Sequence, residues 1–285
     1  MKSGDKVALV CCSNGQPAAT QGLLMELHDE LIKIGLVPVF GDYIYERESV
    51  FSGSAYNRAE SLMEFYKNEE IAAVFDISGG DIANEILPYL DFDVIAASGK
   101  MFWGYSDLTT ILNAIYTKTG QPSVLYQIKN IVLEASGSQS RRFQNTIWGQ
   151  GKELFDFSYV FLQKQEMEGV VVGGNIRCLL KLAGTQYWPD MDGKILLLEA
   201  LSGGVGKMVT YLSQLKQIGV FEKISGILLG TFTEMAREGC VPQIADLVKM
   251  YAGKDIPVAY TPEIGHGIDA KAVIIGQKLR LSGCR

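Results

Sequence analysis

Hydrophobic positions along the first 120 residues follow two alternating periods. Short runs that are almost wholly apolar, KVALVCC (6–12), VPVF (37–40), IAAVFDIS (71–78) and MFWGYS (101–106), are bounded by turn residues and read as buried strands. Between them apolar residues recur every three to four positions. Leu23, Leu24, Leu27, Leu31 and Ile34 mark a helix over 18–35, stopped at Gly35 before Pro38. Further helices are predicted over 56–68, from near Asp81, and over 108–120, the last stopped by Gly120. Such strand–helix alternation predicts parallel strands with helices on both faces.

The pattern degrades beyond residue 137. SGSQSRRFQNT is polar and turn-rich, and QKQEMEG (163–169) is charged without a clear period. The expected organisation is an N-terminal α/β domain over 1–150, a linker over 151–169 and a C-terminal α/β domain over 170–285. The second domain opens with the strand VVVGGN (170–175) and a short helix. It continues through the strand KILLLEA (194–200), a helix near 207–217, the strand SGILLGTF (225–232) and a helix near 241–252. It closes with PVAYTPEIGHG and the strand-like AVIIGQKLRL.

Composition narrows the function classes. The 285 residues carry 26 Lys and Arg against 32 Asp and Glu, a formal charge of −6 without a dense basic run, so a nucleic acid polymer is not an expected partner. No apolar run approaches the ~18 residues of a membrane span, and the N-terminus lacks a signal-peptide pattern. The expectation is a soluble, cytoplasmic protein. Five scattered cysteines (Cys11, Cys12, Cys178, Cys240, Cys284), with no C-x-x-C, fit reduced thiols. Only His28 and His266 could supply an imidazole, which leaves a zinc site poorly supported and no cofactor expected.

Several strand ends carry residues suited to chemistry. In Gly104-Tyr105-Ser106-Asp107 a strand passes abruptly into a helix, which lifts Ser106 above the sheet edge as a nucleophile elbow does. The elbow pattern G-x-S-x-G is only partly matched, because Leu108 holds the last position; on spacing alone Ser106 or Asp107 reads more readily as a helix cap than as a nucleophile site. Ser78-Gly79-Gly80-Asp81 lies at another strand–helix junction, either a turn needing positive φ or a source of amide donors. Glu199 ends the strand ILLLEA, where ligands gather in parallel sheets or where a carboxylate is simply solvated. His266 sits between glycines in a loop, whereas His28 lies in a helix beside the apolar stripe and reads as a packing residue. LSGGVGK (201–207) fails as a phosphate-binding loop: Leu201 stands where glycine belongs and Met208 where Ser or Thr should follow. Tyr187-Trp188-Pro189-Asp190 could stack on a substrate ring or anchor a core. The chain order Ser106, Glu199, His266 is one of the known orders of nucleophile, acid and base.

Together, GYSDLTTILNAI, SGGDIANEILPYLD, GGN with GTQYWPDMDGKILLLEA, LSQLKQIGVF and PEIGHG resemble the serine peptidases of the LD-carboxypeptidase type, a family that includes murein tetrapeptide carboxypeptidases and microcin C self-immunity hydrolases. The resemblance runs from about residue 5 to residue 280 in order. It implies an α/β fold of two lobes, the N-terminal one a parallel sheet with the elbow, with a cleft between them. It places the nucleophile on Ser106, the acid on Glu199, the base on His266 and the oxyanion donors on the N–H groups of Gly79, Gly80 and Asp107. Cofactor-free amide hydrolysis through an acyl-enzyme and a cytoplasmic homodimer are also implied, with a small peptide or peptide-like substrate touching Asp81, Tyr105 and Trp188.

The departures bear on substrate. Many such enzymes read roughly E-D-x-x-E-x-x-Y-x-x-D-R from the acid; here Ala200, Gly203, Gly206, Val209 and Thr210 replace the polar members. Tyr126-Gln127-Ile128 stands where His-Gly-Pro is usual, and Ser78 where murein-type members tend to have Arg. Loss of charged partners weakens recognition of a doubly charged diamino-acid end, and the Gly79-Gly80-Asp81 loop resembles the microcin-immunity branch more closely. A non-catalytic two-lobed binder is the competing reading, because folds outlive activities.

Overall fold

The computed structural model describes residues 1–283, so Cys284 lies outside the described residues. The first sheet contains β1 (Lys6–Val10), β2 (Val37–Phe40), β3 (Ile71–Asp76), β4 (Met101–Gly104) and β5 (Ser123–Leu125), all parallel, in the order β2-β1-β3-β4-β5. The second contains β6 (Val160–Gln163), β7 (Glu166–Asn175), β8 (Lys194–Ala200), β9 (Gly226–Phe232) and β10 (Val258–Tyr260). Two late strands, β11 (Val273–Ile275) and β12 (Lys278–Ser282), then part company: β11 adds antiparallel to β5 in the first sheet, and β12 adds antiparallel to β7 in the second.

The second sheet runs β12-β7-β8-β9-β10-β6, with β7 to β10 parallel and both edge strands antiparallel. The expected α/β architecture in two lobes holds, but each sheet is mixed rather than parallel throughout. The stretch 151–169, read as a linker, contains β6 and the start of β7. Its period was hard to read because β6 is an edge strand with no fully buried residue, so neither face is forced to be apolar.

Helices form where the apolar stripe and the caps agree. Gln21–Ile34 buries Leu24, Leu27, Leu31 and Ile34 and ends at Gly35, whose φ of 103° is the left-handed cap that glycine tolerates. Those leucines meet Val7, Leu9, Phe75 and Phe143; each contributes about 1.5–3 kcal/mol by leaving water. Ala55–Lys67 starts in a capping box formed by Ser54 and Asn57. The helix expected near Asp81 is instead a 3-10 segment, Ala83–Tyr89, interrupted by Pro88. Within the polar run SGSQSRRFQNT a helix does form, Ser138–Ile147, because Phe143 and Ile147 bury one narrow face.

The lobes share a core. One cluster of buried side chains extends from Ala8 and Phe102 in the first sheet, through Leu108 and Ile111, to Leu197 and Leu228 in the second. The strand ends of both sheets are thereby held close together. Among the described residues no helix is long and apolar enough to cross a membrane.

Candidate active site

In the first sheet β1 lies between β2 and β3, so the connections diverge on either side of it and open a crevice at the carboxyl ends of the strands. Three loops meet there, following β1, β3 and β4. Tyr105 prolongs β4 in an extended conformation, and Ser106 then turns sharply, with φ of 55°. A serine in the left-handed region is strained and local, and it starts the 3-10 turn Ser106–Leu108 that leads into the helix Thr109–Thr119. Neither Ser106 nor Asp107 caps that helix through its side chain. The cap reading is therefore corrected: the Asp107 carboxylate turns inward, fully buried, and accepts from Ser13 Oγ (2.7 Å), from Ala83 N (2.8 Å) and from Lys181.

The second lobe supplies the other groups. Glu199, the sixth residue of β8, is fully buried, and its Oε2 lies 2.6 Å from His266 Nδ1. His266 Nε2 lies 3.2 Å from Ser106 Oγ. With the carboxylate accepting from Nδ1–H, the lone pair of Nε2 faces the serine hydroxyl, the arrangement in which an imidazole takes a proton. The histidine loop is fixed behind the ring, where Thr231 N donates to Ile264 O (2.8 Å). Gly265 has φ of 146°, and a Cβ there would fall 1.8 Å from Thr231 Oγ1, so only glycine fits before the histidine.

Tyr105 packs its ring against the imidazole, centroids 4.5 Å apart. Burial, and then the charge of Glu199, push its phenol well above the usual range, so it stays neutral. Expected as a substrate contact, Tyr105 is 7% exposed and instead walls the histidine.

The Gly79–Gly80 turn stands beside the serine: a Cβ on Gly79 would lie 3.9 Å from Ser106 Cβ. Gly80 has φ of 121°, and a Cβ there would penetrate the Asn14 side chain. Asn14 N donates to Gly79 O (3.1 Å) and Asn14 Oδ1 accepts from Asp81 N (3.0 Å), which clips the turn to the end of β1. Below it, buried Asp76 accepts from Ser78 N (2.7 Å), Ser78 Oγ (2.5 Å) and Cys12 N (2.8 Å). Burial raises the Asp76 carboxyl, and these hydrogen bonds partly offset the shift. The Asp107 N–H lies in the first turn of a helix, where amides have no intrahelical acceptor. Gly79 thus approaches Ser106 from the neighbouring turn, with Gly80 next to it, and Asp107 follows Ser106 in the chain.

Of the other two expected substrate contacts, Asp81 directly follows the Gly79–Gly80 turn, whereas Trp188 lies apart from it. The exposed Asp81 carboxylate is paired with Arg177. Trp188 lines a different cleft with Pro189, Met191, Ile218 and Lys223. That cleft is at the opposite end of the second sheet, because Trp188 precedes the first residue of β8 whereas Glu199 lies near its last. Sequence reading missed Asn113, which donates to Gly173 O (2.9 Å) and accepts from Gly173 N (2.8 Å), and Thr109, whose Oγ1 accepts from Asn175 N (3.0 Å). These buried polar residues tie the elbow helix to the end of β7. A helix spacing pattern marks such positions as core-facing and does not name their partners.

Two α/β lobes meeting at their strand ends around an elbow serine are the architecture of a two-domain peptidase. Residues 7–126 match the LD-carboxypeptidase N-terminal domain and residues 168–281 the LD-carboxypeptidase C-terminal domain. The chain belongs to the LD-carboxypeptidase family, as the sequence resemblance implied. It is 28% identical over 263 residues to the microcin C7 self-immunity protein MccF of Escherichia coli, covering 81% of this chain and 76% of that protein. It is 26% identical over 258 residues to the murein tetrapeptide carboxypeptidase of Pseudomonas aeruginosa, covering 86% and 83%. Among solved structures, the microcin C7 self-immunity protein in complex with aspartyl sulfamoyl adenosine superposes with a TM-score of 0.88 at 23% identity, over 99% of this chain and 94% of the other. An MccF-like protein of Bacillus anthracis gives a TM-score of 0.85 at 25% identity, over 99% and 95%.

Proposed function

We propose that this peptidase is a serine hydrolase that cleaves an amide in a small peptide or peptide-like conjugate, with Ser106 as nucleophile, His266 as general base and acid, and Glu199 as the group that orients the imidazole. The observation carrying the proposal is the single imidazole that bridges Glu199 Oε2 at 2.6 Å and Ser106 Oγ at 3.2 Å. Ser106 Oγ attacks the amide carbon as its proton passes to His266 Nε2. The oxyanion forms in the volume bordered by the N–H groups of Asp107 and the Gly79–Gly80 turn. Collapse expels the amine, which takes the proton from His266, and leaves an ester on Ser106. Water then attacks that ester with His266 again as base, releasing the acid and restoring the hydroxyl. Buried Glu199 stabilises the imidazolium throughout.

On substrate, the replaced charged positions after Glu199 and the likeness to the microcin self-immunity protein favour a peptidyl or aminoacyl nucleotide-like conjugate over a murein tetrapeptide. Hydrolysis of a murein tetrapeptide and of an aminoacyl-nucleotide conjugate by wild type and Ser106→Ala tests both levels. Turnover of either by wild type, lost in Ser106→Ala, supports the proposal; equal turnover by both proteins overturns it. Wild type that binds a conjugate without turning it over would establish the binder instead.

A further inference from the structure

Arg177 and Lys181 lie four positions apart at the start of the second lobe, so their side chains leave one face of the same turn. Both cross to the first lobe. Arg177 pairs with the Asp81 carboxylate and donates to Gly80 O (2.8 Å). Lys181 donates to Asp81 O (2.6 Å) and pairs with the Asp107 carboxylate. Every one of these acceptors belongs to a residue in, or next to, the two segments proposed above to supply the oxyanion donors.

The two pairs differ in kind. The Arg177–Asp81 pair is well exposed and contributes little by itself. In the Lys181–Asp107 pair the carboxylate is wholly buried and the lysine side chain 17% exposed. Removing the lysine would leave a buried carboxylate short of its cation, and moving the elbow or protonating the carboxyl would each loosen the contacts that hold Asp107 in place. Asp107 cannot move alone, because Ser13 Oγ and Ala83 N share its other oxygen and Ser106 precedes it in the chain.

We propose that Lys181, assisted by Arg177, is a positioning residue that sets the oxyanion-binding amides of the elbow and the Gly79–Gly80 turn in register with His266. The cations act through Asp107, Gly80 and Asp81 and do not touch the reacting atoms. The inference rests on the Ser106 reading above, and its test separates the two.

A fluorophosphonate probe reacts with an activated serine by displacement of fluoride, and its phosphonyl oxygen occupies the oxyanion position. The rate of labelling is followed by intact mass for wild type, Lys181→Met, Lys181→Arg and Ser106→Ala, beside each thermal midpoint. Lys181→Met is expected to label about 10- to 100-fold more slowly, as for a misplacement of about an ångström. The loss should fall in the limiting rate rather than in half-saturation, and Lys181→Arg should recover most of it. Labelling of Lys181→Met at the wild-type rate, whatever its thermal midpoint, overturns the proposal. If Lys181→Met does not fold, Lys181→Gln, which keeps a hydrogen-bond donor but no charge, carries the same test: slower labelling supports the clamp, an unchanged rate overturns it. Labelling of Ser106→Ala at the wild-type rate would instead overturn the nucleophile reading itself.

Discussion

Glu199 and His266 stand 67 residues apart in the chain and meet at 2.6 Å, the carboxylate fully buried. The pairing fixes which imidazole nitrogen carries the proton. Glu199→Gln preserves size but permits the opposite tautomer, with Nε2 protonated toward Ser106. Turnover of an accepted substrate is expected to fall about 10⁴-fold, with circular dichroism unchanged. A loss smaller than tenfold would remove Glu199 from the mechanism.

The φ of 55° at Ser106 places strain at the elbow. Ser106→Gly relieves it and Ser106→Ala does not, so the glycine variant is expected to be more stable than the alanine variant by about 1–2 kcal/mol. Urea denaturation of the two inactive proteins measures the difference. Equal midpoints would mean that the left-handed conformation is not kept in solution.

At Gly265 the obstacle is both steric and conformational, since a Cβ would lie 1.8 Å from Thr231 Oγ1 and φ is 146°. Gly265→Ala should displace the histidine loop, lowering stability by about 1–3 kcal/mol and turnover by at least tenfold. Retention of full turnover would show that the loop adapts without moving His266.

Asn113 joins the lobes through both polar groups of Gly173. Asn113→Ala leaves the N–H and the C=O of Gly173 buried without these partners, at a cost of about 2–4 kcal/mol. Thermal unfolding should show the drop, and a shift within error would place the interlobe strength elsewhere.

Burial raises the thiols of Cys11, Cys12 and Cys178, and negative neighbours add to the effect, Asp76 for the first two and Asp107 for the third. In the folded protein they stay protonated at pH ~8, where an ordinary cysteine is partly thiolate. Iodoacetamide should modify half-buried Cys240 while sparing these three until denaturant is added. Peptide mapping that finds Cys11 or Cys12 alkylated at the same rate as Cys240 would contradict the burial.

Much of this could be read from the residues. Apolar runs expected to reach Cys12, Ser78, Ser106 and Ala200, with glycines bracketing His266, put the chemistry at the carboxyl edges, and the strands themselves end at Val10, Asp76, Gly104 and Ala200, because apolar runs and turn residues are local signals. What stayed hidden depends on how the lobes pack. β11 pairs with β5 across almost 150 residues, a register that three residues cannot announce. Nothing in the sequence singles out Arg177 and Lys181, because their partners are chosen only when the lobes meet. The cleft that Trp188 lines was hidden for the same reason: an aromatic in a loop declares its size but not which end of the sheet it reaches.

Peptide mapping after fluorophosphonate treatment tests the mechanism most directly, because it needs no knowledge of the natural substrate. A single adduct on Ser106 in the wild type, lost in Ser106→Ala and strongly slowed in His266→Ala, is the expected result. An adduct on another residue, or one on Ser106 that forms equally fast without His266, would contradict it.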